Sequence, residues 1–129
     1  MYCLDTNIII DFIKGDKETI EKITELSKLS DLYLSIITVC EIYKGLCNEK
    51  KSEKEGGTIA SLFDSLYILD LDYNAAREFK EIYAKLKNIE EVKNEFDLII
   101  AAIVKSNDLT LITKDKKHFN NTGIKLQIW

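Results

Sequence analysis

The sequence predicts an α/β protein: a mostly parallel sheet of four to five strands, covered by helices on both faces. Three observations carry this prediction. Short apolar runs recur along the chain, at Tyr2-Cys3-Leu4, Leu32-Tyr33-Leu34-Ser35, Tyr67-Ile68-Leu69 and Leu109 to Thr113. The segments between them have apolar residues at three- and four-residue spacing, the period of a helix packed on one face. Strands separated by helices imply right-handed crossovers and parallel pairing. Finally, Leu98-Ile99-Ile100-Ala101-Ala102-Ile103-Val104 is apolar all round, so its helix must be buried on several sides.

The elements follow in order. After the first strand, a short helix spans Ile8 to Lys14 and Gly15 ends it. Asp16 caps a second helix through Leu29, with Ile20, Ile23, Leu26 and Leu29 inward. The second strand leads into a helix from Ile37 to Cys47. Asn48 to Gly57 is the most charged stretch and reads either as a helical extension or as a loop around Gly56-Gly57. A helix resumes by Ile59 and ends near Ser65. Asp72 starts a long helix to Lys87, with Ala75, Ala76, Phe79, Ile82, Tyr83 and Leu86 inward. Asp97 opens the apolar helix to Lys105, and Lys125 to Ile128 form a last strand at the sheet edge.

With 129 residues, the chain (1–129) reads as one domain with a real hydrophobic core. Its net charge of −4 lacks the basic excess of most nucleic-acid binders. Any grip on phosphate must come from local lysines or a bound cation. The cysteines, Cys3, Cys40 and Cys47, are odd in number and contain no C-x-x-C pair. That excludes a disulfide framework and a thiolate zinc site, and all three read as small buried hydrophobes. His118 is the only histidine, which excludes a multi-histidine metal site. In its lysine-rich turn it reads as a surface residue rather than a general base. No apolar run approaches the roughly 18 residues of a membrane span, and Asp5 interrupts any apolar leader. The expectation is a cytoplasmic protein with no membrane contact.

Four carboxylates fall at related places. Asp5 follows the first strand, within Leu4-Asp5-Thr6-Asn7; Asp115 follows the fourth; Asp97 begins the helix leading into the fourth; Glu41 lies on the helix after the second. With strand order 3-2-1-4-5, the topological switch point lies between strands 1 and 4. Asp5 and Asp115 then flank the crevice where such sheets bind ligands. Each residue has an ordinary reading beside this one. Asp5 and Asp97 suit helix caps, and Asp115 suits a turn. Glu41 lies opposite the apolar face of Val39, Ile42, Tyr43 and Leu46, so periodicity makes it solvated unless the cleft reaches it. Together, carboxylates in one crevice repel each other and raise at least one pKa. A divalent cation removes that repulsion, lowers the pKa of a bound water and polarises a phosphoryl oxygen. An all-oxygen donor set favours Mg²⁺ or Mn²⁺ over Zn²⁺.

The motifs Leu4-Asp5-Thr6-Asn7, Ser35 to Leu46, Asp97-Leu98-Ile99-Ile100-Ala101-Ala102 and Leu111-Ile112-Thr113-Lys114-Asp115 resemble the PIN-domain family. They look in particular like the VapC-type ribonuclease toxins of prokaryotic toxin–antitoxin pairs. The resemblance spans nearly the whole chain, down to Phe119 and Gly123-Ile124-Lys125-Leu126. It implies a three-layer α/β/α sandwich and a Mg²⁺- or Mn²⁺-dependent endoribonuclease. The family's acidic positions map onto Asp5, Glu41, Asp97 and Asp115, with Asp5, Asp97 and Asp115 holding metal. Its auxiliary polar positions map onto Thr6, Asn7 and Thr113. Glu95, two residues before Asp97, competes for the fourth carboxylate role. Partners implied are RNA, a small antitoxin protein and a second copy in a homodimer. The antitoxin helix would lie in a groove by Val39–Leu46 and Ile59–Leu66.

Lysines should rim such a crevice. Lys44, one turn after Glu41, and Lys114 and Lys116, beside Asp115, are expected to contact RNA phosphates. Lys117 reads as solvated. Rival readings stay open at this point. A phosphoacceptor receiver domain would use Asp70 after strand 3, although Asp72 suits a helix cap and no acidic pair precedes Asp5. A phosphatase with an Asp-x-Asp nucleophile lacks its second Asp in Asp5-Thr6-Asn7. A non-catalytic PIN-like scaffold binding RNA or protein would need the carboxylates for nothing.

Overall fold

The computed structural model describes residues 1–48, 53–91 and 93–129. In chain order it contains β1 (Tyr2–Leu4), α1 (Thr6–Ile13), α2 (Lys17–Ser27), β2 (Leu32–Ser35), α3 (Ile36–Asn48), α4 (Glu53–Asp64), β3 (Tyr67–Leu69), α5 (Tyr73–Asn88), α6 (Glu95–Ser106), β4 (Thr110–Thr113), α7 (Lys116–Phe119) and β5 (Lys125–Ile128). The sheet is parallel throughout, in the order β3-β2-β1-β4-β5. Register aligns Cys3 with Tyr33 on one side and with Leu111 on the other.

Strand period and burial explain the layering. Alternate residues of the central strands enter two separate cores. Cys3 and Leu111 join Ile82, Leu86, Leu98, Ala101, Ala102 and Val104 under α5 and α6. Leu4, Leu34 and Ile112 join Ile8, Ile9, Ile23, Val39, Ile42, Ile59 and Phe63 under α1 to α4. The fold is therefore the three-layer α/β/α sandwich that the resemblance implies. The Leu98–Val104 segment is buried almost throughout, with Ile99 alone half-buried.

Caps set the helix starts. Asp16 accepts from the backbone N–H and the hydroxyl of Thr19 at 3.0 and 2.7 Å. Asp72 accepts from Ala75 N–H at 2.9 Å, the cap role that weighed against a receiver domain. With β3 at the sheet edge, the exposed Asp70 that follows it is remote from the β1–β4 crevice. Gly15 ends α1 at φ +84°, where a side chain would be strained.

Several expectations need correction. Asp97 does not open α6: Asn94 caps it, accepting from Phe96 N–H at 2.9 Å, and Asp97 is the third helical residue. Leu29 falls past the end of α2 and is 85 % exposed. Ala76 and Tyr83 face outward on α5, and Tyr83 stacks on Phe79 instead of entering the core. Tyr43 is half-exposed, its ring edge-on to Phe63. Only Cys3 is a buried cysteine; Cys40 and Cys47 lie on the exposed side of α3. Gly56 and Gly57 are helical, within α4. The rest of the charged segment's ambiguity, at 49–52, lies outside the described residues.

Candidate active site

Asp5 stands where β1 ends and α1 begins. Its Oδ1 accepts from the backbone N–H of Thr6 at 2.8 Å and its Oδ2 from Thr113 Oγ1 at 2.7 Å. The residue is only 5 % exposed. Burial pushes its carboxyl up to about 6, against the two hydrogen bonds, and the charges of Asp97 and Glu41 add to the rise. Thr113 Oγ1 also accepts from Asn7 Nδ2 at 3.3 Å and from the backbone N–H of Asp115 at 3.1 Å. One hydroxyl thus ties the ends of β1 and β4 together. Among the described residues, no buried side-chain polar atom lacks a partner.

Glu41 is reached by a chain of hydroxyls. Ser35 Oγ donates to Thr38 Oγ1 at 3.3 Å, Thr38 lies 3.0 Å from Thr6 Oγ1, and Thr6 donates to Glu41 Oε1 at 2.9 Å. Because Thr6 has one proton and gives it to Glu41, Thr38 must be the donor to Thr6. Every bond in the chain therefore points at the carboxylate. Helical period alone sends Glu41 to solvent; the start of α1, crossing over α3, half-buries it in the crevice.

Asp97 faces this group from α6. Burial raises its pKa; His118 opposes that, Asp115 adds to it, and Lys93 lowers it slightly. His118 Nδ1 lies 3.4 Å from Asp97 Oδ2 and its Nε2 lies 3.2 Å from Asp115 Oδ2. The single imidazole thus bridges two of the four carboxylates.

A cavity of about 460 Å³ connects these groups. Asp5, Thr6, Asn7, Glu41 and Asp97 line it together with Lys93, Asn94, Lys117, His118, Ile10 and Phe96. Asp115 is not in its lining and meets it through His118. Glu95 turns away, toward a different cavity beside Tyr83 and Leu98. None of the three lysines expected at the rim lines the cavity. Lys44 is exposed on α3, Lys114 pairs with Asp11 from α1, and Lys116 lies outside. Lys117 takes that place instead, while Lys93 lines the cavity with its ammonium already paired. His118 could have been found from its spacing, since residues i and i+3 share a helix face and Asp115 is three residues away. Lys93 carries no such signal: Glu91 lies two residues away, at a spacing with no shared helix face, and its hydrogen-bond acceptors on Lys117 and Asn120 are distant in sequence.

Among the described residues, no three carboxylate, imidazole or thiol groups are already gathered as a ligand cluster. The donor chemistry nevertheless suits a hard cation. Asp5 is a desolvated carboxylate whose charge is disfavoured by its surroundings, and a divalent ion bound by oxygens would offset that cost.

The PIN domain family matches residues 2–125. Ribonuclease VapC1 of Methanocaldococcus jannaschii is 32% identical, covering 95% of this chain and 84% of that protein. Ribonuclease VapC2 of Haemophilus influenzae is 29% identical, covering 99% of this chain and 97% of that protein. Among solved structures, VapBC2 from Rickettsia felis, bound to a DNA fragment from its promoter, superposes with a TM-score of 0.90 at 25% identity, covering 99% of this chain and 98% of that one. With the family's model matching residues 2–125, almost the whole chain, this protein belongs to the PIN domain family.

Proposed function

We propose that this protein is a divalent-metal-dependent endoribonuclease of the VapC type, the toxin of a toxin–antitoxin pair. One observation carries the reading: Asp5, Glu41 and Asp97, from three different elements, face a single cavity at the switch point of the sheet, with Asp5 desolvated.

Asp5, Asp97 and Asp115 would hold the cation, Mg²⁺ or Mn²⁺. When bound, such an ion supplies Lewis-acid polarisation of a phosphoryl oxygen and neutralises developing charge. The remaining work falls to the chain. Thr113 and the Thr6 N–H orient Asp5, with Asn7 bracing Thr113. Thr6 holds Glu41 with an oxygen toward the cavity, where it takes the proton of a water approaching the phosphodiester in line. Lys117, at the cavity wall, neutralises a phosphate beside the scissile bond. Lys44 and Lys116 lie outside the cavity and take no part in this contact.

The partner reading rests on a second cavity of about 150 Å³ between α1, α3 and α4, lined by Ile10, Ile13, Ile42, Gly45, Leu46 and Ile59 with Lys14 and Glu41 at its edges. It suits the apolar face of one helix from a small antitoxin. The protein itself pairs as a two-fold homodimer.

The test is incubation of total RNA with purified protein. Cleavage in Mn²⁺ or Mg²⁺ that stops in chelator and in Asp5→Asn supports the proposal. No cleavage in either ion, or cleavage unaffected by chelator, sinks it. Co-expression with the adjacent small reading frame, followed by sedimentation, tests the partner and the dimer.

A further inference from the structure

The loop before α6 and the turn after α7 are tied at one point. The Lys93 side chain is only 5 % exposed, unusual for a lysine, which is seldom buried unless paired. Its Nζ donates to the backbone carbonyl oxygen of Lys117 and to Asn120 Oδ1, both at 2.7 Å, and pairs with Glu91 at 3.3 Å. An ammonium has three protons, and three oxygens surround this one. A second strap runs beside it, from Asn121 Nδ2 to Glu91 Oε2 at 2.9 Å.

The consequence lies in what the two segments carry. Lys93 lies four residues before Asp97, in the loop ahead of the α6 cap, and α7, a single turn of four residues, carries His118 and follows directly on Asp115. The sheet fixes Asp115 only through its backbone N–H on Thr113. No strand pairing joins the start of α6 to α7. We propose that Lys93 is a positioning residue whose buried ammonium locks α7 to the start of α6, fixing the spacing at which Asp97, His118 and Asp115 face one another. Its meaning for catalysis rests on the ribonuclease reading; the lock itself is a matter of geometry.

Because His118 is the only histidine, its imidazole gives one set of NMR signals. These report the α7–α6 contact with neither metal nor RNA present. At fixed pH, Lys93→Met moves those signals toward their position in the urea-unfolded chain. Lys80→Met, on the exposed side of α5, leaves them in place. Mn²⁺ affinity, measured by calorimetry, falls on the order of tenfold in Lys93→Met, the usual effect of losing a group that orients ligands. Cleavage lost at low Mn²⁺ returns at high Mn²⁺, which a general loss of folded protein would not allow. Asn120→Ala, removing one acceptor, acts in the same direction but less. The double variant falls short of the sum of the two, as coupled partners do. If Lys93→Met does not fold, Asn120→Ala decides the matter. Imidazole signals and Mn²⁺ affinity unchanged in the folded variants overturn the lock. A wild type that binds no Mn²⁺ and cuts no RNA overturns the nuclease reading instead, and the imidazole signals then judge the lock alone.

Discussion

On the wall of the crevice formed by β1 and β4, Asp5 is buried, and its oxygens take hydrogen bonds from the first residue of α1 and the last of β4. On the wall formed by α6 and α7, Asp97 and Asp115 are partly exposed and share an imidazole that is itself 57 % exposed. The first wall is rigid because parallel strand pairing sets it, down to Asp5 N–H on the carbonyl oxygen of Ile112 at 2.9 Å. The second is assembled from a helix start and a one-turn helix, held by side chains alone. One half of the site is thus set by backbone pairing and the other by side-chain ties.

The largest expected effect ignores that difference. Asp5→Asn and Asp97→Asn, one from each wall, should each reduce RNA cleavage by orders of magnitude, and the double variant should be hardly worse, since groups acting as a unit are non-additive. Initial rates on one RNA measure this. A residual rate in either single variant near wild type would remove that wall from the chemistry.

Stability against pH separates the walls. The Asp5 carboxyl rises from 3.8 to about 6 on folding, so between those values the folded state holds more protons than the unfolded one. Metal-free stability therefore declines as pH rises through that window, by roughly 3 kcal/mol. The favourable contribution is complete below the unfolded pKa and gone above the folded one. Asp5→Asn should flatten this part of the curve and leave the protein more stable at pH 7. Urea unfolding at several pH values checks it; a wild-type stability that climbs from pH 4 to 6 as steeply as the variant's would contradict it.

Next in size, Thr113→Val removes the donor to Asp5 and strands Asn7 and the Asp115 N–H, costing on the order of 1–3 kcal/mol. His118→Ala, on the open wall, should cost less than about 1 kcal/mol. Denaturant midpoints for the two variants sharpen the comparison, and equal losses would erase it.

The smallest effect concerns RNA. With a cleavage-dead Asp5→Asn background, Lys117→Ala should reduce the salt dependence of binding by roughly one unit of slope without sequence preference, the pattern of a phosphate contact. Lys44→Ala should leave the slope nearly unchanged. The reverse result would move the RNA path to α3.

The contrast between the walls also marks what the sequence could say. Strand pairing and apolar period are local signals, so the sheet order and the gathering of Asp5, Thr113 and Asn7 at one strand end could be read from Leu4-Asp5-Thr6-Asn7 and Leu111 to Asp115. Glu41 was misleading, because helical period knows nothing of the hydroxyl that α1 brings over it. Lys93 owes its place mainly to partners supplied by tertiary packing, and so does the Asp97 half of the His118 bridge, whereas its Asp115 half was legible in the three-residue spacing. Tertiary context likewise exposed Leu29 and Cys40, since a helix that ends early or an outward face overrides composition.

The most direct measurement is calorimetric titration of Mn²⁺ into the metal-free protein. Saturable binding is expected in the wild type, lost in Asp5→Asn and in Asp97→Asn alike, and Mn²⁺ at a hundred times its dissociation constant should stabilise the wild-type protein by about 2.7 kcal/mol. Absence of binding in the wild type, or wild-type binding in either variant, would contradict a cation site shared by the two walls.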